Sequence, residues 1–132
     1  MESIDGTLAP GLTATVELTV ADLDTAVALR SGDVPVLATP RVVALAEEAT
    51  VAAAAPALAP HLTTVGTRVE IDHLAPSVVG ARVVAQARLE VVDGRRLAFG
   101  VSVADGATVV ARGRVERVVV DRDRFVARAA GS

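Results

Sequence analysis

The sequence of 132 residues contains no cysteine, no tryptophan and no tyrosine, and only two phenylalanines. Without cysteine the chain has neither disulfides nor thiolate metal sites, which fits the reducing cytoplasm. Aromatic residues make up 2% of the chain, whereas hydrophobic residues make up 52%. The core must therefore be built from valine, leucine and alanine, and valine favours strands.

Charge and hydrophobic patterning exclude further classes of protein. The net charge is −3 and the arginines are scattered, without a basic patch or interleaved aromatic residues, so no nucleic-acid partner is expected. The N-terminus lacks the basic and apolar regions of a signal peptide. The longest weakly polar run, residues 42–58, contains two glutamates and is too short for a membrane span. The histidines lack a suitably spaced third ligand, so we expect no metal and no cofactor.

Domain boundaries follow from where regular patterning begins and ends. We expect a flexible lead-in over residues 1–10, one folded domain over residues 11–126 and a frayed tail over residues 127–132. A first strand with clean alternation begins near Leu12. Four further strands near the C-terminal end are predicted to form a meander, because Asp-Gly turns separate the last three of them.

The central helix is the element around which the predicted fold is arranged. It begins at Thr39, which we interpret as the N-cap before Pro40, and runs to about Ala55. No other element is long and apolar enough to cover one face of the sheet. The predicted class is therefore α+β, a hotdog fold in which a five-stranded antiparallel sheet wraps around one long central helix.

Three polar side chains stand out in this region. The helix carries Thr39 and Glu47, and the strand that follows ends at His73, which alternation places on the apolar face. A hydroxyl, a carboxylate and an imidazole are the groups needed for acyl transfer. Taken singly, each has a structural explanation as a helix cap, a solvated surface carboxylate or a hydrogen-bonded core histidine.

Several segments resemble the fluoroacetyl-CoA thioesterase family of hotdog enzymes: VLATPRVVALAEEA, VGTRVEIDHLAP, VDGRRLAF and VARGRVERVVVDRDRF. The resemblance covers roughly residues 11–126. Thr39 and Glu47 are eight positions apart, and Glu47 and His73 are twenty-six apart. Both spacings match the Thr, Glu and His of the family, and Gly66 falls on the family's glycine.

The resemblance implies hydrolysis of a small acyl-CoA thioester to the free acid and CoA. Thr39 would be the nucleophile or would position a water molecule, and His73 would move the proton. Glu47 would act as nucleophile, activator or partner of His73, and the N–H of Gly66 would stabilise the oxyanion. Attack by Thr39, by Glu47 or by activated water all remain open. Arg117, on the inward parity of the last strand, would brace Glu47 or lie near the ligand entrance.

The segment before Thr39 departs from the family. The fluoroacetyl-selective enzyme has bulky aromatic residues there, whereas DTAVALRSGDVPVLA has none, which favours an ordinary short acyl-CoA as substrate. The alternatives are a non-catalytic hotdog binder of acyl-CoA or another hydrophobic ligand, and a hotdog enoyl-CoA hydratase.

The expected assembly is a homodimer, because small hotdog sheets pair through an edge. Two helical turns, roughly 12 Å along an ideal axis, separate Thr39 from Glu47. This separation predicts a composite site at the dimer interface, with Thr39, Glu47 and His73 shared between protomers.

Overall fold

One long helix and five strands account for most of residues 8–131, the part of the chain that the computed structural model describes. Most of the predicted lead-in, residues 1–10, lies outside the described residues. The elements in chain order are β1 (Thr13–Thr19), α1 (Ala26–Leu29), α2 (Thr39–Ala54), β2 (Leu62–His73), β3 (Arg82–Asp93), β4 (Arg96–Asp105), β5 (Thr108–Asp121) and α3 (Arg122–Ala129).

The five strands form one antiparallel sheet in the order β1-β3-β4-β5-β2. The predicted sheet is confirmed, but the predicted meander of four strands is wrong. Only β3, β4 and β5 follow one another through hairpins, whose turns contain Gly94 and Gly106 at positive φ. Strand β2 lies at the far edge and pairs with β5, and the longer loop 74–81 connects it to β3.

Helix α2 lies across the sheet with one face buried. The buried positions recur every three or four residues, as expected for an amphipathic helix: Val42, Leu45, Ala46, Ala49, Thr50, Ala53 and Ala54. They pack in one core with the inward side chains of the strands, including the fully buried Phe99 and Leu89. The core is made almost entirely of alanine, valine and leucine, as the composition predicts.

A bulge in β2 breaks the predicted alternation of that strand. Gly66 pairs with Arg117 and Arg68 pairs with Glu116, so Thr67 is an inserted residue. Before the bulge the even-numbered Thr64 is buried, whereas after it the odd-numbered positions of β2 turn inward. The inward orientation that alternation predicts for His73 therefore applies to the odd-numbered positions of β2 only beyond Thr67.

The C-terminal segment contains a short helix. Residues 127–129, at the start of the expected frayed tail, form the last turn of α3. This helix begins after Asp121, whose side chain accepts a hydrogen bond of 3.1 Å from the N–H of Arg124. Such an N-cap stabilises a short helix without burial, and α3 has no buried residue.

Gly113 provides a test of how closely β5 approaches β2. A Cβ at this position would overlap backbone atoms of Glu70 and Ile71. Because backbone cannot move aside without opening the β2–β5 pairing, Gly113→Ala is expected to lower the free energy of unfolding by about 2 kcal/mol or more.

Gly100→Ala is the matched control in the adjacent strand. Its Cβ would lie 2.7 Å from Oε2 of Glu90, the flexible end of a side chain that can swing into solvent. The expected change is within about 0.5 kcal/mol. Urea denaturation of both variants measures the difference, and equal effects would contradict the structural explanation.

Candidate active site

Thr39 occupies the first turn of α2 but does not cap it. The N-cap is Ala38, and no side chain caps the helix. The prediction that Thr39 is the N-cap is therefore wrong. Its Oγ1 lies instead 2.7 Å from Nδ1 of His73. When Nδ1 is unprotonated, the hydroxyl donates this hydrogen bond, and the pair has the geometry of a nucleophile beside its base.

His73 ends β2 and pairs with Ala111 of β5. Its second ring nitrogen, Nε2, is buried and has no hydrogen-bond partner among residues 8–131. A neutral imidazole that accepts at Nδ1 carries its proton on Nε2, and a buried N–H needs an acceptor. Residues 8–131 do not provide that acceptor.

Glu47 lies two turns further along α2, in contact with Arg117 of β5. Nη1 of Arg117 donates to Oε2 of Glu47 over 2.9 Å, and the exposed fractions of the two side chains are 7% for Arg117 and 33% for Glu47. Burial lowers the pKa of the Arg117 guanidinium, and the charge of Glu47 acts in the opposite direction. Because arginine is the most basic side chain, Arg117 stays charged at neutral pH.

Gly66 lies directly against this ion pair. A Cβ there would be 2.6 Å from Oε2 of Glu47 and 3.4 Å from Nη1 of Arg117. Only glycine leaves room for the carboxylate at this point. The bulge at Thr67 turns both Gly66 and His73 toward α2, because each pairs with an inward residue of β5.

A groove along the outer side of α2 opens beside the ion pair. Its lining is mostly apolar and comes from α2, β1 and β5: Val16, Ala44, Glu47, Glu48, Val51, Ala52 and Arg117. An apolar wall with a few polar groups at one end is typical of sites for small organic ligands. This groove gives the Glu47 carboxylate access to solvent and ligand.

The structure thus brings the predicted site residues together in two clusters within one chain. One is the Thr39–His73 pair, and the other joins Glu47, Gly66 and Arg117. Thr64, which accepts two hydrogen bonds from Arg117, was not among the predicted site residues. Its one signal was indirect, since an inward arginine requires acceptors on a neighbouring strand.

Across residues 8–131 there is no group of three or more histidine, aspartate or glutamate side chains that could hold a metal ion. Within this range no helix has the length and hydrophobicity needed to cross a membrane.

Comparison with known proteins assigns the family. A family model described as fluoroacetyl-CoA-specific thioesterase matches residues 20–123. The chain belongs to this family. A fluoroacetyl-CoA thioesterase from Streptantibioticus cattleyicolor is 39% identical over 93 residues, which cover 70% of this chain and 67% of that enzyme.

Comparison with solved thioesterase structures agrees with this assignment. A variant of the fluoroacetyl-CoA thioesterase FlK in complex with fluoroacetate superposes with a TM-score of 0.88 at 31% identity, covering 94% of this chain and 98% of the other. A Thermus thermophilus protein described as a thioesterase superfamily member gives a TM-score of 0.84 at 29% identity, covering 92% and 90%. The predicted hotdog fold, family and acyl-CoA thioester hydrolase activity are thereby confirmed.

Gly66→Ala tests whether the glycine makes room for the carboxylate of Glu47. The added methyl group would displace Glu47, a movable side chain, so the fold is expected to persist while kcat/KM for acyl-CoA hydrolysis falls about tenfold to a hundredfold. Gly100→Ala is again the control, because its methyl group displaces Glu90 at a distance of the same size but away from both clusters. Full activity of Gly66→Ala would show that the position of Glu47 is not critical.

Proposed function

We propose that this thioesterase hydrolyses a short acyl-CoA to the free acid and CoA, using Thr39 and His73 with assistance from Glu47. The observation that carries the proposal is the 2.7 Å contact between Oγ1 of Thr39 and Nδ1 of His73. Thr39 is exposed, and its hydroxyl makes no helix cap. It is therefore free to meet a substrate while its proton has a base to go to.

The geometry supports direct attack by Thr39. Oγ1 bonds to the thioester carbonyl carbon as Nδ1 of His73 takes the hydroxyl proton, and the carbonyl electron pair moves onto oxygen. When the oxyanion collapses, the C–S bond breaks and CoA leaves as thiolate, which accepts the proton from His73. Water then hydrolyses the acyl-threonine ester with His73 as base, which releases the acid and restores Thr39.

Glu47 is proposed to orient the water of the second step. The ion pair with Arg117 uses Oε2, so Oε1 remains available to accept a hydrogen bond from water. Activation of a water molecule by Glu47 in the first step, with Thr39 as a positioning group, is the other route that this arrangement supports. In both routes the N–H of Gly66 is the proposed oxyanion donor, because Gly66 falls on the glycine of the family.

A thiol-release assay over a panel of acyl-CoAs tests the activity, and His73→Ala tests the base. Loss of the imidazole is expected to lower kcat by about 10²–10⁴ because proton transfer is no longer assisted. His61→Ala is the control, since the other histidine is exposed in a loop. Comparable losses in both variants, or undiminished hydrolysis by His73→Ala, would contradict the assigned role.

The acyl group is expected to be an ordinary short one. The segment over residues 21–37 contains no aromatic side chain that could enclose a fluorinated acyl group. We expect kcat/KM for fluoroacetyl-CoA and acetyl-CoA to differ by less than about a hundredfold, or roughly 2.7 kcal/mol of transition-state stabilisation. Steady-state kinetics with the two substrates decides this, and a larger preference would show that aromatic residues are unnecessary for selectivity.

The proposed assembly is a homodimer in the cytoplasm. Strand β2 is an edge of the sheet, and residues 66–70 of this strand are exposed. An edge of this length offers unpaired backbone groups to a second copy. A second copy would also provide polar groups near the buried Nε2 of His73. The lack of cysteine is compatible with a reducing compartment.

A site shared between two protomers does not separate Thr39 from His73, because these two residues form a contact within one chain. Glu47 is therefore the group that a partner protomer could supply. A heterodimer of Thr39→Ala and Glu47→Gln protomers is then expected to regain one of two sites and about half the wild-type activity. Verified heterodimers that stay as inactive as both parents would place the whole site within one chain.

A further inference from the structure

We propose that Thr64 is a positioning residue that fixes the orientation of Arg117 and, through it, the Glu47 carboxylate. This inference rests on the proposed function of Glu47. Thr64 lies on β2, Arg117 on β5 and Glu47 on α2. The chain of contacts therefore links three elements that meet at one end of the site.

Thr64 binds the arginine through two different atoms. Its hydroxyl oxygen accepts from Nε of Arg117 over 2.8 Å, and its carbonyl oxygen accepts from Nη2 over 3.0 Å. Both residues are only 7% exposed. Nε and one Nη of a guanidinium form a rigid planar fork, so two acceptors on one residue hold that fork in a single plane.

The fixed fork leaves one nitrogen for the carboxylate. Nη1 is the arginine nitrogen that donates to Glu47, over 2.9 Å. The Glu47 side chain is one-third exposed and would otherwise sample several rotamers. The hydroxyl of Thr64 thus determines where Nη1 points, and Nη1 determines where the carboxylate lies. Misplacement of such a group by about 1 Å reduces rates by as much as a hundredfold.

The test compares Thr64→Val, which replaces the hydroxyl by a methyl group of similar shape, with Thr64→Ser, which keeps the hydroxyl. Thr64→Val is expected to lower kcat about tenfold to a hundredfold while KM changes less than about twofold. Thr64→Ser is expected to keep kcat within about threefold of wild type. If Thr64→Val does not fold, Thr64→Ala makes the same comparison.

Thr63→Val is the matched control on the same strand. Thr63 pairs with Val120 of β5, and alternation turns its side chain to the face opposite Thr64 and Arg117. Wild-type kcat is expected for this variant. Wild-type kcat in Thr64→Val, a change confined to KM, or equal losses in the Ser and Val variants would overturn the proposal.

A second measurement is independent of catalysis. In the 15N-labelled full chain, the Nε–H of Arg117 is expected to exchange slowly with solvent in wild type and Thr64→Ser, and at least about tenfold faster in Thr64→Val. Unchanged exchange would overturn the role of Thr64. If wild type hydrolyses no acyl-CoA while the exchange pattern is as expected, the proposed function fails and the link from Thr64 to Arg117 stands.

Discussion

A strand with a side-chain period of two cannot present residues seven positions apart to the same helix without an inserted residue. Gly66 and His73 are such a pair, and the bulge at Thr67 resolves the conflict. Because of it, one edge strand contributes to both clusters: His73 meets Thr39, and Gly66 makes room for Glu47. Removal of the insertion would turn one of the two clusters away from α2.

The buried charge of Arg117 sets the second constraint. Leaving a buried guanidinium without partners typically destabilises a protein by about 3–5 kcal/mol, so its donors need acceptors. Glu47 supplies the opposite charge, and Thr64 supplies the two neutral acceptors. The Glu47 carboxylate thus stabilises the buried charge, and a change that removes it leaves a buried cation with fewer partners.

The sequence was sufficient for the elements whose hydrophobic period is regular. The long helix, the inward face of β4 and the Asp-Gly hairpins follow directly from apolar spacing and turn residues. The position of β2 beside β5 did not follow, because pairing between distant strands depends on the path of the loop 74–81. Gly66 is compatible with a bulge in its strand, but nothing in the sequence identified Thr67 as the inserted residue. Helix α3 was missed because it is held by a cap instead of an apolar face.

Thr39 shows why a local signal can identify a site residue and still misassign its contact. A threonine before proline at a helix start favours capping, which is typically worth about 1 kcal/mol. In the structure the cap position falls one residue earlier, at Ala38, whose side chain cannot accept from the helix N–H groups. Helix α2 therefore forgoes that contribution, and the hydroxyl reaches the imidazole instead. A helix held by its buried face tolerates this loss, so the local rule fails where the hydroxyl has another partner.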